Sequence, residues 1–140
     1  MIDHVNERIA SSSARVRIVV FWLPMAAGMT TIFLLSSLPS DTIERIARPD
    51  GIDSLVSEAA HFIIYAVLAV LVYWLLQSFR PTTAMLWAGV LVVTIGYGLT
   101  DELHQSFVRG RFATWEDVGF DALGAVVGLA IAALATRWTR

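Results

Sequence analysis

The chain has 140 residues, of which 56% are hydrophobic and only 16% are charged, and it has no cysteine. This length allows a single domain, and the absence of cysteine excludes both disulfide bonds and thiolate metal sites. The net charge of −2 offers no electrostatic basis for binding nucleic acid, so we expect no nucleic-acid partner.

The hydrophobic residues are concentrated in four segments, and each is as long as a transmembrane helix. With the polar residues at their ends, these spans run at about 18–38, 58–76, 84–104 and 116–135. An α-helix of about 20 residues crosses about 30 Å of hydrocarbon. A soluble bundle would need a polar face on every helix, and residues 67–72 and 86–93 offer none. We therefore predict an all-α membrane protein, a four-transmembrane-helix bundle with its termini on the same side.

The distribution of arginine predicts which side of the membrane the termini occupy. Four spans place both termini and the second loop on one side, with six arginines: Arg8, Arg15, Arg17, Arg80, Arg137 and Arg140. The other side has four: Arg45, Arg48, Arg109 and Arg111. Because loops rich in positive charge tend to stay in the cytoplasm, both termini are predicted to be cytoplasmic. Residues 1–17 then form a cytoplasmic segment, and residues 18–140 form a single membrane domain.

The first span and the loop after it each allow two interpretations. Span one could be the apolar region of a cleaved signal peptide, but it is longer than such regions and lacks a good small-residue cleavage site. We therefore expect a retained helix. Residues 41–48 could form a short helix at the membrane interface, and a solvated loop explains them equally well.

Topology brings the polar residues of three spans to one end of the bundle. In either orientation, the start of span two, the end of span three and the start of span four face the same side. In span two, Glu58, His61 and Tyr65 have the spacing i, i+3, i+7, which places them on one helical face. Taken alone, Tyr65 would be interpreted as an aromatic residue at the membrane interface. Taken alone, His61 could equally well be a structural or a functional histidine. The face that His61 shares with Glu58 favours a functional site.

The end of span three has two adjacent polar stripes. Tyr97, Asp101 and His104 form one of them, and Gly98, Glu102 and Gln105 form the other. Both stripes cannot face the same neighbour, so Asp101 and Glu102 are predicted to have different partners, while Gly98 allows a neighbouring backbone to approach. These acids could simply be solvated, but acids at a helix C-terminus oppose the helix dipole and so are not there for helix stability.

Span four begins with a pattern that capping explains only in part. Thr114 to Asp117 fits a capping box, which leaves Asp117 with a structural as well as a functional explanation. Asp121 lies a turn further along the same face and has no capping role. Gly124 and Gly128 continue that face as a G-x-x-x-G pattern, which lets another helix pack closely and could support a homo-oligomer.

Arg109 and Arg111 occupy the loop between spans three and four. Guanidinium groups suit phosphate and carboxylate ligands, which makes both arginines candidates for binding an anionic group. Neutralising Asp101, Glu102 or Asp117 within the protein would explain them equally well.

These polar segments resemble the VanZ-like family of small bacterial integral membrane proteins. The resembling segments are residues 58–65, 100–107 and 109–117, together with 35–39, Asp121 and Gly124. The family takes its name from a member associated with resistance to the glycopeptide teicoplanin. The resemblance implies a multi-pass protein of the bacterial cytoplasmic (inner) membrane with a role at the cell envelope.

Two positions depart from the pattern common in that family. The lysine often found three residues before the histidine of span two is Glu58 here, and a frequent asparagine is Asp121. Both replacements make the predicted pocket more acidic. An anionic ligand in other family members would therefore not by itself predict an anionic ligand for this chain.

Three functional hypotheses follow. In the first, a non-enzymatic protein binds a lipid or envelope-precursor head group at the outer face and alters tolerance to lipoglycopeptides. Arg109 and Arg111 would hold the anionic group, and His61, Glu102 and Asp121 would orient it. In the second, an intramembrane enzyme acts on a lipid-linked phosphate or ester, and whether the chain is an enzyme is left open. In the third, the polar groups only lock the helices together.

A metal is a further possibility under the second hypothesis. His61, Glu102 and Asp121 are the leading candidates to hold a divalent cation, with Asp101 and His104 as further donors. No motif with a recognised metal-binding spacing is present, so no cofactor is obligatory from the sequence.

Overall fold

The structure is a computed structural model that describes residues 16, 18–47 and 54–138, and this part of the chain is helical except at its connections. Its five α-helices are α1 (Leu23–Ser36), α2 (Ser40–Ala47), α3 (Ser54–Gln77), α4 (Thr83–Gln105) and α5 (Trp115–Trp138). Four candidate membrane spans lie along them: Val19–Ser36, Glu58–Gln77, Thr83–Gln105 and Trp115–Trp138. The predicted all-α class, with four long apolar helices packed together, is confirmed. Apart from Val16, the predicted segment 1–17 lies outside the described residues, and the side on which the termini lie stays a prediction.

The first span changes its helical pitch near a proline. Ile18–Trp22 is a π-helical turn, and α1 continues it as a regular α-helix with Pro24 in its first turn. Proline has no backbone N–H and its ring clashes with the carbonyl of the preceding turn. The regular hydrogen-bond ladder therefore cannot run through this point, and the wider turn accommodates the break without ending the span.

The loop after span one contains the short helix α2. Its first turn is closed by backbone bonds from the N–H groups of Thr42 and Ile43 to the carbonyl of Pro39. Of the two interpretations that the sequence allows for this segment, the short helix is therefore the observed one.

The core lies mainly between α3 and α5, which make the most extensive contact of the bundle. Gly124 and Gly128 are both buried, and a Cβ atom at these positions would meet the backbone oxygens of Phe62 and Ala66. The predicted close helix packing at these glycines is thus observed, and the neighbour is α3 of the same chain. The homo-oligomer stays a prediction, and a second copy of the chain would have to use another surface.

Helix α1 packs against α3 and α4 with a smaller contact than the other three long helices make. Ile32 is its one apolar side chain in the buried core of the described residues. The hydroxyl of Tyr97 on α4 donates a hydrogen bond to the Met29 carbonyl over 2.5 Å. Polar contacts therefore supplement a modest apolar interface between α1 and α4.

Four helix termini meet at one end of the bundle, which we call the site end. Here the end of α1 contacts the end of α4 through Ser36 and Asp101, and the start of α3 contacts the start of α5 through His61 and Asp121. The convergence that topology predicts for spans two, three and four is therefore present, with the end of span one added to it.

Exposed aromatic side chains lie at both ends of the bundle. At the site end, Phe107, Phe112 and Trp115 are 80–83% exposed. At the opposite end, four exposed indole rings occur, those of Trp22, Trp74, Trp87 and Trp138. Aromatic rings concentrate at the two interfaces of a membrane, so this distribution agrees with a bundle that spans the bilayer along its helix axes.

Candidate functional site

His61, Glu102, Asp121 and Tyr65 form a buried polar group that we call the His61 cluster. One nitrogen or oxygen atom from each of His61, Glu102 and Asp121 lies within 4.8 Å of the other two. His61 Nδ1 and Asp121 Oδ1 are 3.0 Å apart. Asp121 is fully buried and Glu102 is 4% exposed, whereas the side chain of His61 keeps 11% of its surface exposed. Helices α3, α4 and α5 each contribute to this cluster.

Gly98 makes room for the His61 cluster on α4. A Cβ atom at this position would lie 2.9 Å from Asp121 Oδ2 and 3.3 Å from the ring of Tyr65. The sequence predicts that Gly98 admits a neighbouring backbone, but the atoms that come closest belong to side chains. The missing side chain of Gly98 therefore provides space for the cluster itself rather than for closer helix packing.

Three oxygen atoms of the cluster are buried without a hydrogen-bond partner among the described residues. They are the Tyr65 hydroxyl, Glu102 Oε1 and Asp121 Oδ2. Leaving a buried polar group unpaired costs about 1–3 kcal/mol, and more when the group is charged. Most buried polar atoms in proteins do have a partner, so these three atoms are available to an ordered water or to a bound group.

Glu102 also caps helix α5 from another helix. Its Oε2 accepts the N–H of Thr114 over 3.0 Å, and the Thr114 hydroxyl accepts the N–H of Asp117 over 3.1 Å. The predicted capping box is therefore half formed, since the acceptor for the Thr114 N–H comes from α4 rather than from Asp117. The Asp117 carboxylate lies within electrostatic range of His61, Glu102 and Asp121.

A second polar group, the Asp101 cluster, joins α1 to α4. The carboxylate oxygen Oδ2 of Asp101 accepts hydrogen bonds from the Ser36 hydroxyl (2.9 Å) and the Gln105 side-chain amide (3.0 Å). All three side chains are at least 95% buried. Asp101 and Glu102 thus have different partners, as their separate stripes on the helix predict.

His104 contacts the end of α1 beside the Asp101 cluster. Its Nε2 lies 2.9 Å from the Ser37 hydroxyl, and its ring stacks on Phe33 with 4.5 Å between centroids. The Ser37 hydroxyl already donates its one hydrogen to the Phe33 carbonyl, so the proton in the bond to His104 comes from Nε2. His104 is therefore not arranged to take a proton from Ser37, as a serine nucleophile would require.

The two loop arginines lie apart from the His61 cluster. The Arg109 side chain is 84% exposed and lies 3.7 Å from the carboxylate of Asp41. Arg111 is half-buried and reaches the Leu35 carbonyl at 3.5 Å, while its buried Nε has no partner among the residues described. Within the described parts of the chain, neither arginine forms an ion pair with the acids of α4 or α5.

The loop from 106 to 114 rests on the start of α2. The N–H of Ser40 lies 3.4 Å from the Arg109 carbonyl, and Gly110 has a left-handed backbone with φ of 76°. A Cβ atom at Gly110 would meet the Ser40 hydroxyl, so both the conformation and the contact require glycine. This docking holds Arg109 and Arg111 above the site end.

Comparison with known proteins identifies the family that this arrangement belongs to. A family model described as VanZ/LLP1 matches residues 8–136, which include both clusters and all four spans except the last two residues of the fourth. The chain belongs to the VanZ/LLP1 family. Neither the curated proteins nor the solved structures contain a significant match to it.

Glu58 and Asp121, the two positions where we expect a departure from the family pattern, lie at different distances from the cluster in this VanZ/LLP1 protein. Asp121 is part of it, bonded to His61 and fully buried, whereas Glu58 is half-buried one turn before His61 on α3. An asparagine at position 121 would offer one oxygen and one N–H group in place of two oxygens. Asp121 therefore places a second oxygen, Oδ2, at the centre of the site, where asparagine would place an amide N–H group.

The structure divides the predicted site residues of this VanZ/LLP1 protein into three sets. The His61 cluster brings together His61, Tyr65, Glu102 and Asp121, with Asp117 nearby, and the end of α1 receives Asp101, Gln105 and His104. Glu58, Arg109 and Arg111 lie outside both sets. Ser36 and Ser37 are the additional polar partners, and the sequence signal for them is the Leu-Ser-Ser-Leu-Pro segment, which belongs to the family resemblance.

Proposed function

We propose that this protein binds the polar head group of a lipid or lipid-linked envelope precursor at the outer face of the bacterial cytoplasmic membrane. In doing so it lowers the sensitivity of the cell to lipoglycopeptides. The observation that supports the proposal is the set of three unpartnered oxygen atoms buried at the site end, beneath a loop that carries two arginines. Polar atoms without partners at the edge of a membrane suit a ligand whose own polar part lies at that depth.

The surroundings of the cluster suit a lipid ligand. Phe107, Phe112 and Trp115 are exposed around the loop, at the level where aromatic side chains meet lipid head groups. Arg109 and Arg111 lie in the same loop and would contact a phosphate or carboxylate from above. The buried Nε of Arg111 has no partner within the described residues and can donate to such a group.

The first test replaces Arg111. In a bacterial host that depends on this protein for lipoglycopeptide tolerance, Arg111→Ala should lower the inhibitory concentration severalfold at equal membrane expression. Arg137→Ala is the matched control, because it removes an exposed arginine from the opposite end of the bundle and should leave tolerance unchanged. Unchanged tolerance in Arg111→Ala, or an equal loss in both variants, would contradict the proposal.

A second candidate function is an intramembrane enzyme acting on a lipid-linked phosphate or ester. The observation that favours it is the His61–Asp121 pair, in which a buried carboxylate bonds one nitrogen of a partly exposed imidazole. This is the arrangement of a general base held in position by an acid. Because Ser37 is not activated by His104, the pair would have to activate water.

The enzyme hypothesis is tested by turnover rather than by tolerance. Purified protein in lipid nanodiscs would be incubated with a lipid-linked phosphate and a lipid ester, and the release of phosphate or fatty acid would be followed. If the hypothesis is right, His61→Ala should reduce turnover by about 100-fold or more, whereas His104→Ala should retain most of it. Absence of turnover in the unmodified protein, or equal turnover in His61→Ala, would remove the enzyme hypothesis.

A further inference from the structure

The His61 cluster has the composition and spacing of a cation site. One imidazole and two carboxylates from three different helices place a candidate ligand atom each within 4.8 Å of the others. We propose that His61, Glu102 and Asp121 together bind one divalent transition-metal ion. The proposal goes beyond head-group binding and shares with it the unpartnered oxygens of Glu102 and Asp121, but all of its ligands are side chains of this chain.

The unpartnered oxygens provide the independent evidence. Asp121 is fully buried and Glu102 is 4% exposed, and each has one carboxylate oxygen without a partner in the described parts of the chain. A proton on His61 would strengthen the existing bond to Asp121 Oδ1 but would leave both of these oxygens unpaired. A cation lying between the side chains would give both carboxylates a partner at once.

Charge balance favours a cation with two positive charges. Once ionised, Glu102 and Asp121 would bring two negative charges into a buried site that also has the Asp117 carboxyl nearby. The nearest loop arginines contact Asp41 and the Leu35 carbonyl instead. A single imidazolium would leave one buried charge without compensation, which is costly in a low-dielectric interior. A divalent ion bound by a neutral imidazole compensates both carboxylates.

The ligand types indicate which ions fit. Imidazole nitrogen suits Zn²⁺ and similar transition metals, whereas Mg²⁺ and Ca²⁺ prefer oxygen ligands alone. Nitrogen and oxygen ligands lie about 2.0–2.2 Å from Zn²⁺, so two ligands of one tetrahedral ion are about 3.3 Å apart. The His61–Asp121 separation of 3.0 Å is close to this value, and the metal would replace the hydrogen bond between these two atoms. The three ligand atoms lie within 4.8 Å of one another, so the set would have to contract when the ion binds.

Three protein ligands would leave one tetrahedral position for water or for an oxygen of a bound molecule. The Tyr65 hydroxyl is buried in the same cluster, has no partner among the described residues, and can hydrogen-bond to whatever occupies that position. The cluster therefore has the groups of an open metal site rather than a closed structural one.

The test measures metal binding by the purified full-length protein in detergent, without an added lipid ligand. The protein would be stripped with a chelator, titrated with Zn²⁺ and separately with Mn²⁺, and analysed for bound metal and melting temperature. We expect one ion per chain and a rise in melting temperature on binding. Glu102→Gln and Asp121→Asn should each weaken binding by more than about tenfold, since loss of even an outer-shell partner costs 10–100-fold.

Asp101→Asn is the matched control, because Asp101 is an equally buried carboxylate one residue away that belongs to the other cluster. It should bind the ion as the unmodified protein does. Absence of binding by the unmodified protein at about 100 μM of either ion, or an equal loss in Asp101→Asn, would overturn the proposal. The measurement on the unmodified protein does not depend on the folding of any variant, the variants are compared only where their elution profiles match that protein, and the tolerance test of Arg111 is a separate experiment.

Discussion

Gly98 shows how one missing side chain shapes the site. A Cβ at this position would be 2.9 Å from Asp121 Oδ2 and 3.3 Å from the ring of Tyr65, both of which are held between helices. Gly96 lies on the same helix, and a Cβ there would meet nothing within 4 Å. Alanine substitutions at these two glycines can therefore distinguish the effect of helix propensity on stability from the effect of filling the site.

Gly98→Ala is expected to destabilise the protein by about 1–3 kcal/mol, the usual cost of overpacking a core, because Asp121 and Tyr65 must move. Gly96→Ala should be neutral or slightly stabilising, since alanine favours helix formation over glycine. Melting temperatures of both variants in the same detergent would measure the difference. A similar change in the two variants would show that Gly98 has no packing role.

At the scale of elements, the α3–α5 pair is held by backbone contact rather than by interlocking side chains. Gly124 and Gly128 lie against the carbonyls of Phe62 and Ala66, which are part of the α3 backbone and cannot rotate away. The same helix pair carries His61, the residue before Phe62, and Asp121, three residues before Gly124, on the side toward the site end. The spacing of these two helices therefore also determines the distance between the two side chains.

Gly128→Ala should therefore push α3 and α5 apart, at a cost of about 3 kcal/mol or more. Gly119→Ala on the same helix is the control, because a Cβ there would meet nothing within 4 Å. We expect Gly128→Ala to lower the melting temperature and the yield of monodisperse protein, and Gly119→Ala to change neither. Equal behaviour of the two variants would mean that α5 can shift without cost.

Helix periodicity explains which parts of the site could be predicted from the sequence. Successive residues on a helix point about 100° apart, so Asp101 and Glu102 had to face different neighbours, and span lengths alone bring His61, Glu102 and Asp121 to one end. The positions of Arg109 and Arg111 depend on the path of a loop, and this path follows from the contact of Gly110 with Ser40. A loop has no periodic pattern from which such a contact could be predicted. Ser36 and Ser37 act through the packing of α1 on α4, and no sequence pattern specifies that pairing.

At the scale of the whole molecule, the polar groups are concentrated at one end of an otherwise apolar bundle. Buried hydrogen bonds between membrane helices contribute about 0.6 kcal/mol on average. The Asp101 cluster has every carboxylate contact that such a locking role needs, since Ser36 and Gln105 bind the same oxygen. The His61 cluster leaves buried oxygens unpaired, which would weaken a purely structural lock. We therefore expect a structural role for the Asp101 cluster and, under the proposals above, a binding role for the His61 cluster.

The two oxygens of Glu102 face different parts of the molecule. Oε2 accepts the N–H of Thr114 at the start of α5, whereas Oε1 is buried in the His61 cluster without a partner in the described part of the chain. A carboxylate is a rigid plane, so its two oxygens cannot turn independently of each other. A ligand that reorients Oε1 must therefore also shift Oε2, the acceptor for the N–H of Thr114 at the start of α5. We therefore expect the start of α5 and the loop from 106 to 114 to shift when a ligand moves Oε1, in addition to any contact that Arg109 and Arg111 make with that ligand.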